Sequence, residues 1–198
     1  MISPENTLAF YNKNSVKYFD QTIHIDIAHA YRHIQERLPV GSRILDLGAG
    51  SGRDSRYFLD QGYDVTSVDG SANLADVAQK RLGISIQVLD FEEIDFKYEF
   101  DAVWASCCLM HNDAAKLRRV LKKIGKSLKP GGYFYASYKF GEDSFVDETG
   151  RFFLFQNFPS LVSLYEEFSE FSLVLLEKTD SRRKDSLVQW MHVLVQVS

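Results

Sequence analysis

From Arg43 onward the chain alternates short apolar runs with amphipathic segments, and this alternation limits the folds open to it. Runs such as "RILDL", "DVTSVD" and "YFYASY" have the length of strands, while the segments between them carry apolar residues at helical spacing. Alternating strands and helices favour right-handed crossovers and a parallel sheet that is covered on both faces. We therefore predict an α/β fold with a doubly wound, mostly parallel, seven-stranded sheet.

The two ends of the chain extend this core in different ways. The first 38 or so residues have helical patterns, with Ser3 as a helix cap, Pro4 at the first helical position and a second helix over about 23–38. Two long apolar runs, "FSLVLLEKT" and "LVQWMHVLVQV", close the chain. They predict an antiparallel hairpin at one sheet edge, joined by the polar turn "DSRRKDS". Within the core, Ser71 and Asp113 are predicted helix caps.

Charge and cysteine content narrow the class of protein. The net charge is −4, which disfavours a nucleic-acid partner, and no apolar run reaches the length of a membrane span. Cys107 and Cys108 are neighbours, and adjacent residues rarely satisfy disulfide geometry, so we predict a reduced, cytoplasmic protein. The start "MISPENTLAFYNKN" lacks a basic region followed by an apolar one, so we expect no secretory signal. The spacing of His24, His29 and His33 makes a poor metal-binding face, and we predict no metal.

A glycine-rich turn, "ILDLGAGSGRD" at 44–54, follows the first strand. Gly48, Gly50 and Gly52 would let the backbone approach a ligand closely and point a helix N-terminus at it. The alternative is a tight turn without a ligand. The dinucleotide fingerprint would place its third glycine where Arg53 stands, which argues against a nicotinamide-dependent oxidoreductase.

Acidic residues end the next two strands. Asp69 ends "DVTSVD", where a carboxylate can accept both hydroxyls of a ribose. The next predicted strand, "ISIQVLD" at 84–90, ends in Asp90, and Phe91 comes directly after it. Since the carboxyl ends of parallel strands share one edge of a sheet, these residues are expected near the glycine turn.

The segment "LDLGAGSG", with Asp46 two residues before its first glycine, resembles motif I of the class I S-adenosylmethionine-dependent methyltransferases. "FDAVWASCCLMH" resembles motif IV of that family, and "LKPGGYFYAS" resembles its stretch before the fifth strand. The likeness runs from about Arg43 to Ser137 and implies a Rossmann-like fold. "GSGRDSRYFLDQGYDVTSVDGS" resembles the tellurite-resistance-type and related small bacterial methyltransferases, which implies a small acceptor rather than a polymer.

The resemblance implies S-adenosylmethionine as cofactor, S-adenosylhomocysteine as product, and a role for each motif residue. The glycines would meet the methionine portion, Asp69 the ribose, and Asp90 with Phe91 the adenine. Arg53 has two readings, a bond to the methionine carboxylate or a surface ion pair with Asp54 or Asp60. The implied cofactor-binding residues are Asp46, Gly48, Gly50, Gly52, Arg53, Asp69, Gly70, Leu74, Asp90, Phe91 and Ala105.

Three residues are candidates for catalysis. His111, just after the fourth strand, is the best-placed general base, and its alternative is a structural histidine. Tyr11 and Tyr18 lie seven apart on the first helical segment, hence on one face, where they could close over the site or belong to the core. Cys107 and Cys108 read as buried thiols rather than nucleophiles.

Lys139 and Arg151 are candidates for binding an anionic small-molecule acceptor, whereas Arg182, Arg183 and Lys184 read as a solvated turn. RNA or protein methylation and a non-catalytic S-adenosylmethionine sensor are the competing functions. We predict one domain, with residues 1–40 as N-terminal helical cap, 41–140 as cofactor-binding core and 141–198 as substrate-side insertion and hairpin.

Overall fold

The computed structural model describes residues 5–181 and 187–198. Within them the chain forms seven α-helices: α1 (Glu5–Lys13), α2 (Ser15–Thr22), α3 (Ala28–Gln35), α4 (Arg53–Asp60), α5 (Ala72–Leu82), α6 (Ala114–Ser127) and α7 (Phe158–Glu166). The strands of these residues are β1 (Arg43–Leu47), β2 (Asp64–Asp69), β3 (Ile86–Val88), β4 (Phe100–Ala105), β5 (Leu128–Lys139), β6 (Ser144–Val146), β7 (Phe152–Leu154), β8 (Phe171–Asp180) and β9 (Gln189–Val197). Ser3, Pro4, Arg182, Arg183 and Lys184, named above, lie outside the described residues.

The main sheet has seven strands in the order β3-β2-β1-β4-β5-β9-β8. The pairs from β3 to β5 are parallel, and β9 is antiparallel to both β5 and β8. The predicted Rossmann-like sheet with its C-terminal hairpin is confirmed. Because β1 lies between β2 and β4, the chain reverses its winding direction there, and ligands bind at the carboxyl ends of strands at such a point.

The N-terminal cover differs from the prediction in its boundaries. The first helical stretch is divided at Asn14, whose side-chain amide donates to the Phe10 carbonyl (2.9 Å). The second predicted helix, over 23–38, is shorter at both ends and is α3. It starts late because the Asp26 carboxylate accepts from the Ala28 backbone N–H (2.8 Å), which fixes a turn just before the helix.

A small two-stranded sheet of β6 and β7 was not predicted. Its turn is organised by Asp147, whose carboxylate accepts from the backbone N–H groups of Thr149 and Arg151 (both 3.0 Å), while Gly150 takes φ +84°. This hairpin places Arg151 and Phe152 above the sheet edge that carries the site. The predicted strand over 84–90 is also shorter, since only β3 pairs with its neighbour.

Other local predictions are confirmed. Ser71 caps α5 by accepting from the Leu74 N–H (3.2 Å), and Asp113 caps α6 by accepting from the Lys116 N–H (2.7 Å). Both cysteines carry free thiols, but only Cys108 is buried as predicted; Cys107 is half-buried because it lines two cavities. Of the helices in the described part of the chain, none is both long and apolar enough to cross a membrane.

Candidate active site

Two adjoining cavities open above the carboxyl ends of β1, β2 and β4. The first has a volume of about 210 Å³ and the second about 480 Å³. They meet at the glycine turn and beneath the N-terminal helices. The residues that line both are Tyr11, Tyr18, Gly48, Gly50, Ser106 and Cys107.

The three glycines of the turn have different surroundings. Gly48 and Gly50, with φ of +75° and +57°, line both cavities. A Cβ on Gly48 would meet the Cys108 Cβ at 2.5 Å, whereas a Cβ on Gly50 would find no atom nearer than 3.8 Å. Gly52 lines neither cavity, and a Cβ there would meet Ile84 at 2.5 Å. Gly52 thus serves close packing, while Gly48 and Gly50 expose backbone to the cavities.

Asp69 joins the end of β2 to the glycine turn. Its carboxylate accepts from the Gly50 N–H (2.8 Å) and the Ser71 N–H (2.7 Å), one on each oxygen. Burial raises the pKa of Asp69, and the two backbone bonds oppose that rise. Each oxygen keeps a lone pair for a ligand hydroxyl, and the residue lines the first cavity.

The first cavity is also lined by other predicted residues. Gly70, Leu74, Asp90 and Phe91 all line it, as does Lys116, which the sequence did not single out. The Asp90 carboxylate accepts from the Lys116 ammonium (3.0 Å), so the long α6 side chain holds the carboxylate at the cavity wall.

Asp46 and Ala105 line neither cavity. Asp46 is buried under the turn, where its carboxylate accepts from the Ser55 hydroxyl (2.5 Å). Burial, and after it the charge of Asp54, raises the pKa of Asp46. Ala105 is fully buried, but Ser106 directly after it reaches both cavities.

Arg53 pairs with Asp54, as one of its two readings had it, but the pair is largely buried and does not lie at the surface. Its guanidinium donates to both oxygens of Asp54 (2.6 and 3.1 Å), and its side chain lines the second cavity. The Asp54 carboxylate also accepts from the Tyr31 hydroxyl (2.7 Å) and the Trp104 indole N–H (2.8 Å). Burial alone would raise the pKa of Asp54, but Arg53 and these donors lower it. Asp60 pairs instead with Arg56.

His111 and Tyr11 meet where the cavities join. The His111 Nδ1 lies 2.7 Å from the Phe152 carbonyl, which can only accept, so Nδ1 carries a proton. Burial lowers the pKa of His111 to about 4, and the ring is therefore neutral near pH 7. Its Nε2 must then accept from the Tyr11 hydroxyl, 2.8 Å away. Tyr18 packs edge-on against Tyr11, with centroids 4.9 Å apart.

Lys139 and Arg151 line the second cavity around one aromatic ring. The Lys139 ammonium lies 3.6 Å from the Phe153 centroid, and the Arg151 guanidinium carbon lies 5.2 Å from it. Arg151 also donates to Asp147 (2.6 and 2.9 Å). Both cations lower the pKa of His111 further, after burial.

The remaining histidines and acidic groups make no metal centre in the described ranges. Between residues 5 and 181 and from 187 to 198, no cluster of three or more His, Cys, Asp or Glu side chains could hold an ion. The absence of a metal stays a prediction.

The sequence of this region matches a known family. Residues 44–132 match a family model described as a methyltransferase domain. TehB of Haemophilus influenzae, described as a probable S-adenosyl-L-methionine-dependent methyltransferase, is 31% identical over 138 residues, 65% of this chain and 46% of TehB. The core of the chain is thus a methyltransferase domain of the class I S-adenosylmethionine-dependent type.

Further members of this methyltransferase family share the core. The malonyl-[acyl-carrier protein] O-methyltransferase of Enterobacter lignolyticus is 33% identical over 103 residues, 50% of this chain and 40% of that enzyme. The chain thus spans less than half the length of these two relatives. The crystal structure of the Burkholderia thailandensis 1,6-didemethyltoxoflavin-N1-methyltransferase, with bound 1,6-didemethyltoxoflavin and S-adenosylhomocysteine, has a TM-score of 0.76 at 23% identity and covers 100% of this chain and 92% of its own. That likeness concerns the fold.

Proposed function

We propose that this methyltransferase binds S-adenosylmethionine in the first cavity and methylates a small, anionic molecule in the second. The observation that carries the proposal is the junction of the cavities, where the glycine turn and Tyr11 border both a carboxylate-lined space and a cation-lined one, and where His111, in the wall of the first cavity, is hydrogen-bonded to Tyr11. When bound, S-adenosylmethionine supplies a methyl group on a strongly electrophilic sulfonium and leaves as S-adenosylhomocysteine.

The first cavity fits an adenosyl group. Asp69 keeps lone pairs for the ribose hydroxyls, and Asp90, held by Lys116, faces the same space together with Phe91. Gly50 leaves open space where any side chain would project, so ligand can lie against its backbone. Gly70 and Leu74 are the proposed neighbours of the adenine ring.

The predicted residues outside the first cavity take supporting roles in this proposal. Asp46 and Gly52 hold the glycine turn from beneath, through the Ser55 bond and close packing. Ala105 would act through its backbone only. Arg53, already paired with Asp54, can present its remaining N–H groups to a carboxylate at the second cavity.

The charge of the second cavity favours an anionic acceptor. Among the described residues, it is lined by the cationic side chains Lys17, Arg53, Lys139 and Arg151 and by the carboxylates Asp54 and Asp180. This positive excess contrasts with the net charge of −4 of the whole chain. A carboxylate or other oxyanion entering beside Arg151 and Lys139 would lie next to His111.

The Tyr11–His111 pair can remove a proton from an acceptor. The neutral His111 holds a lone pair on Nε2, and the Tyr11 hydroxyl points at it. As the acceptor passes its proton to the Tyr11 oxygen, Tyr11 passes its own to Nε2, and the Phe152 carbonyl stays bonded to Nδ1–H of the imidazolium. The pair is needed when the nucleophile arrives protonated.

A transfer assay with methyl-labelled S-adenosylmethionine and a panel of small carboxylic acids and phenols tests the function. We expect transfer by the wild type, and a loss of kcat of about 10²- to 10⁴-fold in His111→Ala with little change in cofactor affinity. His24→Ala, at an exposed histidine, is the control. Cofactor binding without transfer to any acceptor would instead identify a sensor, and unchanged kcat in His111→Ala would return His111 to a structural role.

The division of the chain follows the same proposal. Helices α1–α3 fall within residues 1–40, strands β1–β5 within 41–140 and β6–β9 within 141–198. We propose one domain, with these parts as the cap, the cofactor-binding core and the acceptor side, in a cytoplasmic protein.

A further inference from the structure

Three side chains on three neighbouring strands form a continuous hydrogen-bonded chain in the second cavity. Tyr135 of β5 lies with its hydroxyl 2.6 Å from the Nδ1 of His192 on β9. The Nε2 of His192 lies 2.7 Å from the hydroxyl of Thr179 on β8. All three residues line the second cavity, and the proton transfer proposed above uses none of them. We name this set the strand relay.

The protonation of His192 decides what the strand relay offers. Burial, and after it the charges of His29 and His33, lowers the pKa of His192 to about 4, so the ring is neutral near pH 7. One ring nitrogen therefore donates and the other accepts. If Tyr135 donates to Nδ1, then Nε2–H donates to the Thr179 oxygen, and the hydroxyl proton of Thr179 is left for a ligand.

In the reverse direction, Thr179 donates to Nε2 and keeps its remaining lone pair for a ligand, while Nδ1–H donates to Tyr135. The hydroxyl of Thr179 can thus act as donor or acceptor toward the second cavity, according to the group that meets it.

The surroundings of the strand relay are aromatic. The His29 ring lies edge-on to His192, with centroids 5.4 Å apart, and Trp190 lines the same cavity. The neighbouring acidic groups have partners, since Glu177 lies 3.0 Å from His33 and Asp180 accepts from Gln189 (3.0 Å). A neutral polar group of the acceptor suits this site better than a second charged group would. A charged group would lose its hydration there without gaining a counter-ion.

We propose that the strand relay is a second subsite of the acceptor cavity, in which Thr179 binds an uncharged hydroxyl, carbonyl or ring N–H of the methyl acceptor. The acceptor is then a small cyclic molecule that carries its anionic group toward Lys139 and Arg151 and a neutral polar group toward Thr179. This inference rests on the proposed function, since it assigns the second cavity to the acceptor.

Nitrogen-15 NMR of the His192 ring, assigned with His192→Gln, tests the subsite with three neutral probes: phenol, 2-pyridone and benzamide. Binding is measured with and without S-adenosylhomocysteine. We expect at least one probe to shift the His192 nitrogens saturably, and Thr179→Val to weaken that probe at least fivefold. Thr179→Ser, which keeps the hydroxyl, should bind like the wild type. Thr66→Val on β2, away from both cavities, is the matched control.

Two results would overturn the subsite. Either none of the probes shifts the His192 nitrogens, or Thr179→Val binds them as tightly as the wild type. The strand relay would then be a brace between β5, β9 and β8 only. Failure of the proposed function is seen separately, as a lack of S-adenosylhomocysteine binding in the same samples, and the probe titrations without that ligand still decide the subsite.

Discussion

The two cavities are built from the chain in opposite ways. The first is lined chiefly by residues that follow consecutive strands, and its central hydrogen bond, from Gly50 to Asp69, joins residues 19 apart. The second takes its walls from the N-terminal helices, the β6–β7 hairpin and the last two strands. Within it, the hydrogen bond between Tyr135 and His192 joins residues 57 apart, and the bond between Tyr11 and His111, where it meets the first cavity, joins residues 100 apart.

This difference shows which kind of binding site a short sequence motif can specify. A turn that binds a fixed cofactor needs glycines and carboxylates at set places after each strand, so short segments specify it. An acceptor site is assembled from distant segments, whose side chains meet only after the sheet has formed. The first cavity can therefore stay constant in a fold while the second varies with the acceptor.

The largest expected effect concerns Asp54, which lines the second cavity and lies beneath the turn that both share. Asp54→Ala leaves the Arg53 guanidinium, the Tyr31 hydroxyl and the Trp104 N–H without their common acceptor. We expect the free energy of unfolding in urea to fall by about 3–5 kcal/mol, the usual cost of breaking a buried ion pair.

Asp60→Ala is the matched control on the same helix, because Asp60 forms an exposed pair with Arg56. It should leave the free energy of unfolding unchanged within error. Equal free energies of unfolding of the two variants would contradict the claim that Asp54 supports the turn shared by the two cavities.

The next effect concerns the pH dependence of the stability that the buried, neutral His111 contributes. Its folded pKa of about 4 lies below the ordinary value of 6.5, so its contribution to stability is complete above pH 6.5 and is lost as the pH falls toward 4. Arg151, Lys139 and Asp147 are the charges that face it. The loss from this one group should reach about 2 kcal/mol at pH 5.

Urea unfolding at pH 7 and pH 5 measures this loss. In His111→Gln the decrease between the two pH values should be smaller than in the wild type by about 2 kcal/mol, whereas His24→Gln, at an exposed position, should keep the wild-type decrease. The same decrease in all three proteins would contradict a neutral, buried His111.

The smallest effect is a difference in stability between two variants of the turn that the cavities share. Ala at Gly48 or Gly50 must adopt a left-handed backbone, which costs roughly 1–2 kcal/mol. At Gly48 the new Cβ also meets the Cys108 Cβ, so Gly48→Ala should lose about 1–2 kcal/mol more than Gly50→Ala in urea unfolding. Gly50→Ala should weaken cofactor binding instead, because its methyl group enters the cavities. Equal stability of the two variants would contradict the different surroundings of these glycines.

Prediction from sequence succeeded where a residue type and its place after a strand carry the information. The sheet, its terminal hairpin, the caps Ser71 and Asp113, and the position of Asp69 at the first cavity are of this kind. Local pattern could not separate Gly52, which packs against Ile84, from Gly48 and Gly50, because all three have the same spacing and a positive φ.

Hydrogen bonds between residues far apart in the chain could not be predicted from the sequence, for a physical reason. Lys116 of α6 reaches Asp90 in the loop after β3, and the Asp54 carboxylate accepts from Tyr31 and Trp104. Such contacts depend on how the layers pack, which no short segment encodes. The bond between Tyr11 and His111 likewise exists because the N-terminal helices and the β6–β7 hairpin converge on one sheet edge.

The most direct test of the central claim is a calorimetric titration of the protein with S-adenosylmethionine, S-adenosylhomocysteine and NADH. The variants are Asp69→Ala and, as control, Asp64→Ala at the exposed start of the same strand. We predict that both adenosyl ligands bind, that NADH does not, and that Asp69→Ala loses about 1–3 kcal/mol of binding free energy while Asp64→Ala loses none. Binding of NADH, or equal affinity of Asp69→Ala and the wild type for the adenosyl ligands, would contradict the assignment of the first cavity.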